Sequence, residues 1–201
     1  MKIAISLNEV LRDFIGQFAY TYNKYIAETN ITVKDVTNFD LMEFFKFDSV
    51  DKFNNFLYLE APLEIFGHAD QLHDGIINRF NEFLIDIEYE GEHEIELVSR
   101  EVNKAIPSTF FFLSKTGARP TNIRFVKKYE QKWNNVDVLI TANPKALEAK
   151  PAGKISVKVK TNYNTDAKAD YEIDSILDFF KDEELRNKIL KPTITTTYEE
   201  I

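Results

Sequence analysis

The sequence predicts an α/β fold: a doubly wound, mostly parallel sheet carrying a small helical insertion. Three observations predict it. Short apolar runs recur along the chain as buried strands do, and amphipathic stretches of helical period separate them. Between residues 30 and 66 a Phe-dense stretch breaks that alternation with the mixed spacing of short helices. Strands that alternate with helices pair in parallel through right-handed crossovers.

Ile3, Ala4 and Ile5 form the first strand, and Val10, Leu11, Phe14, Ile15, Phe18, Tyr22, Tyr25 and Ile26 follow at helical spacing. In the Phe-dense stretch Phe39, Phe44, Phe45, Phe47, Phe53 and Phe56 mark short helices, interrupted at Pro62. Leu72, Ile76, Ile77, Phe80, Phe83 and Leu84 lie on one stripe of a helix expected over 69–85. An acidic connector with Gly91 leads to a strand at 95–98, and an apolar helix over 103–115 ends at Gly117, a suitable C-cap. Strands are expected at 122–126, at 136–140 and, after a Lys150-Pro151-Ala152-Gly153 turn, at 155–159. Ser175 to Phe180 reads as the last amphipathic helix, before a Thr-rich tail.

Composition bounds the function. The 201 residues are 44% hydrophobic and 29% charged, enough apolar material for a core without staples. The absence of cysteine excludes a disulfide framework, a thiolate metal site and a cysteine nucleophile. A net charge of −8 argues against a general nucleic-acid or anionic-membrane role. No apolar run approaches the roughly 20 residues of a membrane span, and Met1–Leu7 lacks the apolar region and cleavage site of a signal peptide. His68 and His73, five apart beside Asp70 and Asp74, have poor spacing for a metal and read as polar residues at a helix start. The alternating glutamates from Glu88 to Glu96 read as a solvated strand edge.

In parallel α/β sheets chemistry sits at the carboxyl ends of strands. After the first strand the chain reads Ser6-Leu7-Asn8-Glu9-Val10-Leu11-Arg12-Asp13, after the second it reads Ser99, and Lys132 precedes Asp137-Val138-Leu139-Ile140-Thr141-Ala142-Asn143-Pro144. This layout resembles the haloacid dehalogenase-like superfamily, in its 5′-deoxynucleotidase-like branch. The family's first motif is Asp-x-Asp-Gly-Val-Leu-x-Asp, its second a strand ending in Ser or Thr, its third a Lys, and its fourth Asp-Val-Leu-Ile-Asp-Asp-x-Pro. The resemblance implies a Rossmann-like core from 1–14 and 69–190, a helical cap insertion over 15–68, and an extended tail over 191–201. It also implies phosphoryl transfer by an Asp nucleophile with an Asp acid/base and magnesium.

Here Ser6 stands at the nucleophile's place, Asn8 at the acid/base's, and Thr141 and Ala142 at the acidic ligands'. Serine needs a base, asparagine transfers no proton, and magnesium favours carboxylates. These departures lead to the expectation of an inactive domain with no metal and no cofactor, in which Ser99 and Lys132 remain as a phosphate-binding remnant. Such a domain is expected to serve as a structural or interaction subunit with protein partners, a homo-oligomer or larger assembly. The Asn-, Ile-, Phe- and Lys-rich style resembles a bacterial or bacteriophage gene, which suggests a virion connector or ring protein, located in the virion or host cytoplasm, or otherwise in the cytoplasm. The tail would add a strand to a partner through Ile194 and Tyr198, which share one strand face. Two alternatives stay open: a magnesium-dependent nucleotide phosphatase, active or residual, and a non-hydrolytic binder of nucleotide or phosphate.

Overall fold

The computed structural model describes residues 1–26 and 30–190. β1 (Lys2–Ser6) runs into a tight loop and then α1 (Phe14–Tyr25). Two 3-10 turns, Val33–Asp35 and Leu41–Glu43, precede α2 (Val50–Asn55). Two π-helical turns, Phe56–Glu60 and Leu63–Gly67, lie on either side of Pro62. Then come α3 (Ile76–Glu90), β2 (Glu94–Ser99), α4 (Ala105–Thr116) and β3 (Ile123–Phe125). A 3-10 turn at Tyr129–Trp133 leads to β4 (Val138–Thr141), α5 (Pro144–Glu148) and β5 (Ile155–Val159). β6 (Tyr171–Ile173), α6 (Ile176–Lys181) and α7 (Glu183–Leu190) close the described chain.

The strands form one sheet in the order β3-β2-β1-β4-β5-β6, each pairing parallel. Ile3 pairs with Ile95 on one side and Val138 on the other. The chain therefore winds outward from β1 through β2 to β3, then returns to β4 on the opposite flank of β1. That reversal opens a crevice at the carboxyl ends of β1 and β4, where ligands bind in such sheets.

Alternation along the strands feeds two cores. Ile3, Ile5, Leu97, Ile140 and Val157 pack with Phe80, Phe83, Phe179 and Ile189 on one face. Ala4, Val98 and Leu139 pack with Trp133, Val136 and Ala146 on the other. Burial on both faces is why these strands are nearly continuous in apolar residues. A third cluster belongs to the helical segment after β1: Phe18 is buried against Phe45, Phe56 and Tyr22, with the Phe18 and Phe45 rings edge to face at 4.7 Å.

Several expectations are corrected. Helical spacing from Val10 does not make helix there: Val10 and Leu11 are buried in the loop, and α1 starts at Phe14, where Asp13 Oδ1 accepts from Gly16 N at 2.9 Å. The helix expected from Ala69 starts instead at Ile76, after Gly75 takes the left-handed conformation at φ 75°, and Gly91 ends it at φ 68°. Glu96 is no strand-edge residue. It is 1% exposed on an internal strand, held by Lys2 at 3.2 Å and Arg124 at 2.5 Å. α5, β6 and α7 were not expected. Ile194 and Tyr198, with the whole tail, lie outside the described residues. Among the described residues no helix is long and apolar enough to cross a membrane.

Candidate active site

The crevice floor is built from the last residues of β1 and β4. Ser6 Oγ donates to Thr141 Oγ1 at 2.8 Å and accepts from Lys132 Nζ at 3.0 Å. Thr141 Oγ1 also accepts from Asn143 N at 3.1 Å, so the loop after β4 is tied to the same hydroxyl. Lys132 arrives from the 3-10 turn, whose position is fixed by its neighbour: Trp133 is buried in the second core and its Nε1 donates to Ala146 O at 2.7 Å. Lys132 is only 5% exposed. Burial pulls its pKa from the ordinary 10.5 down to about 8; Glu101 partly opposes this, and Arg100 and Arg124 add to it.

Asn8 belongs to a different network. Its Oδ1 accepts from Arg12 at Nε (2.8 Å) and Nη2 (2.5 Å). Arg12 is fully buried, bonds the Phe66 carbonyl at 3.2 Å and Thr109 Oγ1 at 2.7 Å, and pairs with Glu101. Phe66 and Phe112 lie against its guanidinium at 5.1 and 5.3 Å. Glu101 also accepts from Ser99 Oγ at 2.6 Å and from Thr109. Ser99 therefore serves the Arg12–Glu101 pair, while Lys132 Nζ donates to Ser6 Oγ. Ala142 contributes a buried methyl group, and its carbonyl accepts from Asn164 Nδ2 at 2.9 Å.

The loop also places Glu9 at the crevice. Glu9 adopts φ 57°, a left-handed conformation that costs a non-glycine residue about 1–3 kcal/mol. The residue is 7% exposed, and its Oε1 accepts from Ile15 N at 2.8 Å. Burial pushes its pKa from 4.5 up to about 8; the Ile15 and Phe14 amides and Arg12 pull down, and Asp13 adds to the rise. Glu9 is thus a neutral acid at pH 7. Sequence reasoning missed it, although a glutamate at the glycine of the resembled motif was a readable signal.

A cavity of about 370 Å³ lies over this floor. Asn8, Glu9, Lys132 and Asn143 line its base, and Arg100 and Lys145 add cationic groups. The helical segment covers it with Phe14, Leu41 and Phe53. Phe39, Tyr129 and Tyr163 form a ring cluster in its wall: Phe39 is 5.6 Å from Tyr129 and 5.8 Å from Tyr163. The Arg100 guanidinium lies 4.8 Å from the Tyr129 ring and Lys145 Nζ 5.8 Å from Phe39. Burial raises the Tyr129 and Tyr163 phenols, which stay protonated. The arrangement suits an anion joined to a flat group.

The donor set does not suit the magnesium ion that the resemblance implies. Ser6, Asn8, Thr141 and Ala142 offer no carboxylate, and Asn8 Oδ1 already holds Arg12. A divalent cation beside Lys132 would also meet its charge. Among the described residues no group of three or more His, Asp and Glu side chains is placed to hold a metal, the His68 and His73 region included.

No family model and no curated protein matches the sequence. Solved structures do. A haloacid dehalogenase-like hydrolase from Burkholderia xenovorans matches with TM-score 0.58 and 12% identity, over 92% of this chain and 96% of that one. The magnesium-bound HAD hydrolase YfnB from Bacillus subtilis matches with TM-score 0.51 and 14% identity, over 89% and 96%. A HAD-superfamily hydrolase of subfamily IA from Geobacter sulfurreducens gives 0.50 and 11%, over 89% and 95%. The chain has the haloacid dehalogenase-like fold. These neighbours overturn the expectation of an inactive structural subunit in a virion connector or ring. Each carries a hydrolase name and none a structural or virion role, and this chain has a cavity lined by ionisable groups at the carboxyl ends of β1 and β4.

Proposed function

We propose that this protein is a hydrolase of small phosphate monoesters carrying a flat group, nucleoside monophosphates being the class that fits. The observation that carries the reading is the covered cavity over the β1–β4 switch point, with Lys132 in its base and aromatic rings in its wall. The segment over 15–68 acts in this reading as the cap that encloses the bound ester together with the water that attacks it. Lys132 and Arg100 receive the phosphate, whose charge they neutralise as it develops in the transition state. Phe39, Tyr129 and Tyr163 receive the base, since rings offer a nucleobase a stacking surface. The hydroxyl chain Lys132–Ser6–Thr141 fixes the ammonium in place. No step runs through a carboxylate-held metal.

Phosphate release from a panel of nucleoside 5′-monophosphates tests this reading. The wild type should release phosphate, and Lys132→Met should lower kcat/KM at least a hundredfold, as loss of a charge-stabilising contact does. Absence of release from every member by the folded wild type overturns it.

A further inference from the structure

We propose that Glu9 is the catalytic acid of this site and delivers a proton to the leaving-group oxygen of the bound ester. The inference rests on the hydrolase reading above. Two geometric facts carry it. Glu9 lines the cavity base beside Asn8 and Lys132, and its backbone is held at φ 57°, where a glycine would be free of strain. Strain kept at a cavity wall is characteristic of a side chain retained for what it does there. The Ile15 amide donates to Oε1, which ties that oxygen to the start of α1.

Asn8 cannot take this role. It has no transferable proton, and Arg12 occupies its oxygen. The groups that face Glu9 are Arg12 and Asp13 of its own loop and Tyr163 from the β5–β6 connection. Burial outweighs them and keeps the acid protonated at neutral pH. In the reaction a water oxygen forms a bond to phosphorus while the bond from phosphorus to the ester oxygen breaks. The departing oxygen takes the bonding pair and the Glu9 proton, and leaves as an alcohol. The water's proton passes to solvent, which also reprotonates Glu9 before the next turnover.

The test exploits leaving groups of unequal need. A nucleoside alkoxide must be protonated to leave, whereas p-nitrophenolate leaves readily without a proton. Glu9→Gln should lower kcat on a nucleoside 5′-monophosphate by about 10²-fold or more and on p-nitrophenyl phosphate by no more than about threefold. Equal losses on both substrates, or none on the nucleotide, overturn the assignment. Infrared difference spectra at pH 7 give a readout free of activity: the wild type should show a protonated-carboxyl band that Glu9→Gln lacks, and no such band overturns it too. A wild type inactive on both substrates defeats the hydrolase reading itself and takes this role with it. That outcome is distinct from an active wild type that Glu9→Gln leaves unaltered.

Discussion

Lys132→Met should make the protein more stable at neutral pH while removing the proposed anion contact. The buried ammonium has its pKa moved from 10.5 to about 8. At 1.36 kcal/mol per tenfold change in proton affinity, that displacement represents roughly 3 kcal/mol of disfavoured charge at pH 7. Methionine has similar length and no charge to desolvate, but it forfeits the bond to Ser6 Oγ, worth about 1 kcal/mol. The expected net gain is about 2 kcal/mol, or roughly 4–8 °C in Tm for a chain of this size. The gain has a pH signature. The folded amine gives up its proton near 8 and the unfolded one near 10.5, so between these values the unfolded state binds more protons and wild-type stability rises with pH. The advantage of the variant should therefore vanish before about pH 10.5 and reverse above it, leaving the variant about 1 kcal/mol less stable than the wild type for want of the Ser6 bond. Urea unfolding reports it directly, because Trp133 is the single tryptophan and is buried next to the mutated position. A variant less stable than wild type at pH 7, or a difference that does not change with pH, would refute the reasoning that burial sets the state of Lys132.

Glu101→Gln should destabilise the fold by about 3–5 kcal/mol in urea unfolding, since it leaves the Arg12 cation buried without its counter-charge. Glu9 predicts a slope opposite to that of Lys132. Its folded pKa of about 8 lies above the unfolded 4.5, so wild-type stability is full below 4.5 and falls as pH rises through 8. Glu9→Gln should flatten that fall, as measured by urea midpoints across the same range.

The central strands were legible because their apolar runs are buried on both faces, and Ile3–Ile5, Leu97–Val98 and Val138–Ile140 have nothing polar to confuse the reading. β6 was not legible: Tyr171–Ile173 is short, sits at the sheet edge and carries an exposed glutamate. Ser6, Thr141 and Lys132 were each marked by their place after or before a strand, and the fold brings the three together. Arg12 and Glu101 were invisible for a different reason. Each looks like a surface residue in its own stretch, and only the pairing across 89 positions makes their burial tolerable. Ser99, expected beside Lys132, was claimed by that same pair. The function expected from the missing carboxylates failed because absent residues were read without the groups that surround their places. Glu9 and the desolvated Lys132 give the crevice ionisable chemistry that a motif comparison does not see.

The most direct test of the central claim is phosphate release from nucleoside 5′-monophosphates by the 201-residue protein, measured in excess EDTA and again with added magnesium. A hydrolase that works through Lys132 and Glu9 should release phosphate at similar rates in both conditions. No release in either condition, or release that depends on magnesium, would contradict it.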